Sequence, residues 1–120
     1  MSEDSINDTG MNDDSISMIS PHELRDKLKS QERITLLDVR EPEEFEICHI
    51  DGSILVPLSE FGEHISDFDQ QKEYILICKE GKVSNEAAMI MSENGFFNLK
   101  GLDGGIINWA KSIERTMETY

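Results

Sequence analysis

The chain has 120 residues, of which 38% are hydrophobic and 30% are charged, and its formal net charge is -14. This length suffices for one domain with one core, and the excess of acid argues against nucleic acid or an anionic membrane as a partner, since both require a positive surface. No apolar run approaches the roughly 20 residues that span a bilayer, and the acidic N-terminus is unlike a secretory or transit signal. We therefore expect a cytoplasmic protein.

The first part of the chain is acidic and shows no sustained helix or strand period. Residues 1–19 hold five acids and neither Lys nor Arg. Such a composition cannot bury enough apolar surface to fold and is typical of disorder. We therefore expect residues 1–18 to form a disordered acidic segment and residues 19–120 to form the domain, with its ordered part beginning at Met18 and Ile19.

The domain is predicted to open with a helix, a strand and a helical turn. Ser20 is a suitable N-cap, with proline at the first helical position and glutamate at the third, and the helix is expected to end near Lys29. Residues 34–37 form a short apolar run that is typical of a buried parallel strand. Residues 41–45 are predicted to form a short helical turn.

A second strand and helix follow in the middle of the chain. The strand is predicted over residues 54–56, where a proline stops it. The next helix is predicted to be capped by Ser59 and to turn Phe61, Ile65 and Phe68 inward, because their spacing of three or four residues places them on one helix face.

The last third of the chain alternates strands with helices. Strands are predicted over residues 74–77 and 96–99, separated by a helix that ends at Asn94 and Gly95. A final helix begins after Gly104 and Gly105 and is expected to bury Trp109. This alternation indicates a parallel sheet covered by helices on both faces, and in such sheets the sites lie beyond the carboxyl ends of the strands.

Cys78 lies at the carboxyl end of the strand at 74–77 and is the candidate nucleophile. A short loop and a helix follow it, so backbone amides and the positive end of a helix dipole surround the thiol and favour the thiolate. The alternative is a buried strand-end cysteine with no chemical role. The candidate active-site loop comprises Lys79, Glu80, Gly81, Lys82, Val83 and Ser84. Two of these residues are lysines, which could hold a small anion.

Asp38 and Arg40 follow the neighbouring strand and are candidate supporting residues. A strand-end aspartate can bind neighbouring loop amides and an arginine can pair with a nearby acid, so a structural role is favoured and a role in the site stays open. Cys48 and His49 are adjacent, but without a second ligand pair they are weak evidence for a metal, and we expect none. Two cysteines in a domain of this size do not indicate a disulfide scaffold.

Five segments in order and spacing resemble the single-domain rhodanese family of sulfurtransferases. They are Leu37–Phe45, His49–Ile54, Ile75–Ser84, Asn94–Phe96 and Leu102–Trp109. The resemblance implies a five-stranded parallel α/β sheet with helices on both faces and no cofactor. It further implies that Cys78 takes a sulfane sulfur as a persulfide and passes it to a thiophilic or protein acceptor.

A narrower resemblance concerns Glu44–Ile50, residues 98–101 and a tyrosine after Trp109. These are similar to the rhodanese module fused to adenylyltransferases of the ubiquitin-activating type, which serve molybdopterin, thiamin and tRNA-thiolation pathways. This resemblance implies a ubiquitin-like sulfur carrier or an adenylyltransferase as a partner. The chain is then either a free-standing relative or a fragment of a larger enzyme.

The loop after Cys78 bears on the sulfur donor. Many rhodaneses that use thiosulfate carry arginines here, whereas this chain has Lys79 and Val83 at those positions. Arginine binds oxyanions through two parallel hydrogen bonds and lysine only as a point charge. A protein persulfide is therefore favoured over thiosulfate as the donor, and a phosphatase, which requires Cys-x5-Arg, is disfavoured. The alternative function is a non-catalytic interaction or regulatory module of the same fold.

Overall fold

The structure is a computed structural model that describes residues 16–82 and 84–120. Residues 1–15, most of the segment that was expected to be disordered, lie outside the described residues. Val83 also lies outside them. Five parallel strands form one sheet in the spatial order β1-β5-β4-β2-β3. They are β1 Met18–Ile19, β2 Ile34–Asp38, β3 Ile54–Leu55, β4 Glu73–Ile77 and β5 Leu99–Leu102.

The connections between the strands are helical. The α-helices are α1 Pro21–Lys29, α2 Pro42–Ile47, α3 Phe61–His64, α4 Ser84–Glu93 and α5 Gly105–Ser112. Short 3-10 turns at Leu58–Glu60 and Ile65–Asp67 flank α3. Within the described residues, none of these helices combines the length and the apolarity needed to traverse a bilayer.

The start of α1 agrees with the sequence pattern. The Ser20 hydroxyl accepts a hydrogen bond from the Glu23 amide at 3.1 Å, and the Glu23 carboxylate accepts one from the Ser20 amide at 3.2 Å. These reciprocal bonds satisfy two amides that the helix itself leaves without acceptors. The predicted N-cap at Ser20 is therefore confirmed.

The core lies in two layers, one on each face of the sheet. Successive side chains of a strand point to opposite faces, so Leu76 packs with α3 and α4 whereas Ile75 and Ile77 pack with α1 and α5. Trp109 of α5 is buried in the second layer, as predicted. The five-stranded parallel sheet with helices on both faces is confirmed.

The two central strands bring the candidate site together. β2 and β4 are paired so that Asp38 lies opposite Ile77, and the Val39 amide donates to the Ile77 carbonyl at 2.9 Å. The segments that follow β2 and β4 therefore leave the sheet side by side. This pairing places Arg40 and Cys78 at the same edge.

The strand predicted over residues 96–99 is wrong, because β5 begins at Leu99. Phe96 is instead drawn into the core, where its ring meets that of Tyr74 edge-on at 5.7 Å, and Phe97 is 82% exposed. The first hydrogen bond between β4 and the segment leading into β5 runs from the Tyr74 amide to the Asn98 carbonyl. Phe96 thus makes a buried aromatic contact, and Phe97 points to solvent, before the strand begins.

Two further expectations need correction at element ends. Ser59 does not cap a helix: it lies inside the 3-10 turn, and α3 begins at Phe61 without a side-chain cap. β3 is one residue shorter than predicted, although Val56 still donates to the Asp38 carbonyl. β1 was not predicted as a strand, since it is only two residues long and pairs with β5 alone.

Candidate active site

A cavity of about 230 Å³ opens at the edge of the sheet where β2 and β4 end. Its lining mixes apolar, acidic and basic side chains with the candidate nucleophile. The lining residues are Val39, Arg40, Glu41, Glu44, Leu58, Cys78 and Lys79. Concave sites with a few convergent polar groups are the usual place for ligand binding, and this one contains the candidate nucleophile.

Cys78 is held at the base of its loop by two hydrogen-bond donors. The Gly81 amide donates to the Cys78 Sγ at 3.0 Å, and the Ser84 hydroxyl, at the start of α4, lies 3.3 Å from the same sulfur. Donors aimed at sulfur stabilise negative charge there. Cys78 is only 2% exposed and lines the cavity, so a reagent reaches its sulfur from the cavity side.

The loop after Cys78 is anchored from below by the N-terminus of α5. The Ile106 amide donates to the Cys78 carbonyl at 2.9 Å, and the Ile107 amide donates to the Lys79 carbonyl at 3.2 Å. Gly105 precedes these amides with φ +63°, and a Cβ added there would lie 2.4 Å from both carbonyl oxygens. Glycine at this position therefore allows the helix to approach the loop closely.

We expect Gly105→Ala to destabilise the fold and to displace the active-site loop. An L-residue with a left-handed backbone costs about 1–2 kcal/mol, and the contacts with two carbonyl oxygens add to this cost. The free energy of unfolding from urea titration should fall by about 2 kcal/mol or more.

Gly62→Ala provides the matched control. Gly62 lies in α3, and a Cβ there would meet nothing within 4 Å. Alanine is favoured over glycine in a helix by about 1 kcal/mol, so this variant should be neutral or slightly stabilised. Equal stability of both variants would contradict the close packing of α5 against the loop.

Arg40 is the most connected side chain of the site. Its Nε and Nη2 donate to the two carboxylate oxygens of Asp38 at 2.8 and 2.7 Å, its Nη2 donates to the Cys48 carbonyl at 2.7 Å, and its Nη1 donates to the Tyr120 hydroxyl at 2.9 Å. Burial would lower the pKa of Arg40, but the hydrogen bonds to Asp38 and Tyr120 outweigh it and hold that pKa above its ordinary value. This guanidinium is already committed and lacks a free fork for a bound oxyanion.

The remaining loop residues lie apart from the cavity. Glu80 and Lys82 are exposed and do not line it, whereas Lys79 does. Of the two lysines that the sequence suggested as anion contacts, the structure brings only Lys79 to the cavity. The place of Val83 lies outside the described residues.

Cys48 and His49 point to different surroundings. Cys48 is buried, with its Sγ 3.9 Å from Arg40 Nη1, while the exposed ring of His49 stacks on Phe45 at 4.0 Å. Both Cys48 and Cys78 are free thiols. Cys48 and His49 therefore make structural contacts beside the site.

Sequence reasoning missed part of the cavity wall. Glu41, Glu44 and Leu58 line the cavity without having been singled out as site residues. Tyr120 was noticed only through a resemblance, although it contacts two lining residues. The two glutamates could have been found from their place directly after β2, whereas no pattern in the sequence connects Leu58 or Tyr120 with Cys78.

The fold and the site together place the chain among parallel α/β proteins whose candidate site is a cysteine in a loop at the carboxyl edge of the sheet. The chain belongs to the rhodanese family, since residues 20–112 match the model of the rhodanese-like domain. This confirms the resemblance inferred from the sequence.

Individual relatives are sulfurtransferases by name. The chain is 42% identical over 106 residues to the probable adenylyltransferase/sulfurtransferase MoeZ of Mycobacterium tuberculosis. The aligned region covers 87% of this chain but only 27% of MoeZ. It is 31% identical over 94 residues to the putative sulfurtransferase YtwF of Bacillus subtilis, covering 78% of this chain and 90% of YtwF. The chain thus spans about a quarter of MoeZ and nearly all of YtwF.

A solved structure gives the same result for the fold. The rhodanese-related protein of Thermoplasma volcanium superposes with a TM-score of 0.73 at 33% identity, over 82% of this chain and 94% of that one. The chain is therefore a rhodanese-like domain related to sulfurtransferases.

Proposed function

We propose that the protein is a sulfurtransferase that carries sulfane sulfur as a persulfide on Cys78. The observation that supports this most is the Cys78 sulfur itself: it lines the cavity and receives hydrogen bonds from the Gly81 amide and the Ser84 hydroxyl. The same donors stabilise the thiolate before transfer and the charge that returns to this sulfur afterwards.

The reaction consists of two displacements at sulfur. The Cys78 thiolate attacks the sulfane sulfur of the donor, so one S–S bond forms on Cys78 while the donor's S–S or S–S(O₃) bond breaks, and the donor's thiolate or sulfite leaves with the electron pair. An acceptor nucleophile then attacks the outer sulfur of the Cys78 persulfide, and the Cys78 thiolate leaves. The sulfane sulfur changes partners without an external oxidant or reductant.

The charges of the cavity favour a persulfide over thiosulfate as the donor. Thiosulfate is a dianion, whereas an ionised persulfide carries one negative charge. Arg40 is committed to Asp38, and the carboxylates of Glu41 and Glu44 line the same cavity as the single ammonium of Lys79. Like charges at close range disfavour binding, so the second charge of thiosulfate is a disadvantage here.

The sulfur donor or acceptor in the cell is proposed to be another protein. The narrower resemblance supports a ubiquitin-like sulfur carrier or an adenylyltransferase as the partner, and the name of MoeZ, which combines adenylyltransferase with sulfurtransferase, supports the adenylyltransferase. A place in sulfur-carrier or cofactor biosynthesis, in the cytoplasm, follows from this proposal.

Mass spectrometry of the intact protein tests the carrier directly. After incubation with a cysteine persulfide and removal of the donor, we expect an adduct of about 32 Da, one sulfur atom, that maps to Cys78 in a peptide digest. Thiosulfate should give the same adduct more slowly. A thiol acceptor such as dithiothreitol should remove it.

The unmodified second thiol serves as the internal control. Cys48 is present in the same molecule and is buried away from the two sulfur-directed donors, so its peptide should remain unmodified. If neither donor produces an adduct on Cys78, the carrier proposal is wrong, and the non-catalytic interaction module becomes the better interpretation.

A further inference from the structure

Tyr120 contacts two cavity residues although it lies far along the chain from both. Its hydroxyl accepts a hydrogen bond from Arg40 Nη1 at 2.9 Å, and its ring centroid lies 4.8 Å from the Lys79 Nζ and 5.8 Å from the Arg40 Cζ. Tyr120 as a whole residue is 36% exposed. Arg40 and Lys79 form one rim of the Cys78 cavity, and the Tyr120 ring packs against this rim.

The two cations at this rim depend on Tyr120 to different degrees. Arg40 is fixed by two hydrogen bonds to the buried Asp38 carboxylate, so its position is set without Tyr120. The ammonium of Lys79 ends on the face of the Tyr120 ring, at a distance typical of a cation–π contact. A lysine side chain has many rotamers, and this contact selects the one that keeps the charge beside the cavity.

The phenol can serve as a neutral platform at physiological pH. Burial raises the pKa of Tyr120, a rise that the Arg40 hydrogen bond opposes and the nearby Glu44 carboxylate adds to. The neutral hydroxyl accepts from Arg40 through oxygen. The ring is thereby held at its edge by Arg40 while its face remains available to Lys79.

We propose that Tyr120 is a positioning residue for sulfur transfer: its ring holds the Lys79 ammonium at the cavity rim, where it meets the single negative charge of a persulfide donor. This inference rests on the proposed function, since it concerns the donor of that reaction. An ammonium that is already held in place loses less side-chain conformational entropy when the donor binds than a mobile one does.

Two alkylating reagents measure the position of the charge independently of sulfur transfer. Iodoacetate and iodoacetamide react with Cys78 by the same displacement and differ mainly in the negative charge, so the ratio of their rate constants reports the positive potential at the sulfur. Peptide mass spectrometry follows Cys78 separately from Cys48. We expect Tyr120→Leu to lower the iodoacetate-to-iodoacetamide ratio roughly two- to fivefold, the range expected for an exposed cation–π contact.

Tyr120→Phe distinguishes the ring from the hydroxyl. This variant keeps the aromatic face for Lys79 and loses the bond to Arg40, so its ratio should stay close to that of the unaltered protein. Lys79→Met should lower the ratio at least as much as Tyr120→Leu. In the Lys79→Met background, Tyr120→Leu should cause no further decrease of the ratio, because the ring then has no ammonium to position.

Donor kinetics provide the second measurement. Tyr120→Leu should raise the KM for a cysteine persulfide by about the same factor while kcat changes little, because the ring acts on donor binding. The inference is overturned if Tyr120→Leu leaves the reagent ratio unchanged, or if Tyr120→Phe lowers it equally. A protein that transfers no sulfur but shows the expected ratios would contradict the proposed function and leave the positioning of Lys79 by Tyr120 supported.

Discussion

Cys78→Ser is expected to reduce sulfur transfer to background, a loss of roughly three orders of magnitude or more, in the range found when a nucleophile is removed. A hydroxyl cannot carry a persulfide, so neither displacement can occur. The Gly81 amide and the Ser84 hydroxyl, which face the sulfur at 3.0 and 3.3 Å, can still bond to a serine oxygen. The rate is measured with a cysteine persulfide as donor and cyanide as acceptor, by formation of thiocyanate.

Cys48→Ser is the control for this prediction. Cys48 is also a buried free thiol, but the group near its sulfur is Arg40, at 3.9 Å. We expect this variant to retain most of the activity, and both variants to unfold in urea within about 2 kcal/mol of the unaltered protein, since the buried volume changes little and the main cost is one buried hydroxyl. A loss of activity in Cys48→Ser as complete as in Cys78→Ser would indicate a mechanism that uses both thiols.

The sequence predicted β2, β3 and β4 better than β1 and β5. β2 and β4 are central strands buried on both faces, and such strands are continuous apolar runs, so residues 34–37 and 74–77 were recognised. β1 has two residues, and β5 consists of Leu, Lys, Gly and Leu, without the β-branched and aromatic residues that favour strands. Their pairing depends on neighbours in space, which the local sequence does not show.

The same difference applies to the site. Cys78 and its loop were predicted because strand, loop and helix are consecutive in the chain, and the local order of elements alone places the thiol among backbone amides. The hydrogen bond between Arg40 and Tyr120 joins residues 80 positions apart. The approach of Gly105 to the Cys78 carbonyl also depends on tertiary packing. A sequence motif can mark such a residue, but only the structure shows which distant residue it contacts.

Asp38 and Arg40 illustrate how a structural and a site role can coincide. The sequence favoured a structural role and left the other open. Their ion pair is buried, with side chains 0% and 2% exposed and a shortest N–O distance of 2.7 Å. The same arginine lines the cavity, so its pairing with Asp38 both stabilises the fold and removes a cation from the set available to a bound anion.

Arg40→Met is therefore expected to lower the free energy of unfolding by roughly 3–5 kcal/mol, since it leaves the Asp38 carboxylate buried without its partner. The measurement is urea unfolding at neutral pH, followed by far-UV circular dichroism. This loss is a large share of the roughly 5–15 kcal/mol that stabilises a typical domain. The variant Asp38→Asn/Arg40→Met removes the uncompensated charge as well and should recover part of the stability, and it keeps the test informative if the single variant does not fold.

Arg25→Met is the matched control for Arg40→Met, because it removes the same group from an exposed pair. The side chains of Arg25 and Asp26 are 38% and 69% exposed, with 3.3 Å between nitrogen and oxygen, and such surface pairs contribute about 0–1 kcal/mol. We therefore expect Arg25→Met to unfold at nearly the same urea concentration as the unaltered protein. If Arg40→Met were equally mild, the Asp38 carboxylate would have to find water or protonate at little cost. The buried pair would then not be what fixes the carboxyl ends of β2 and β4 around Cys78.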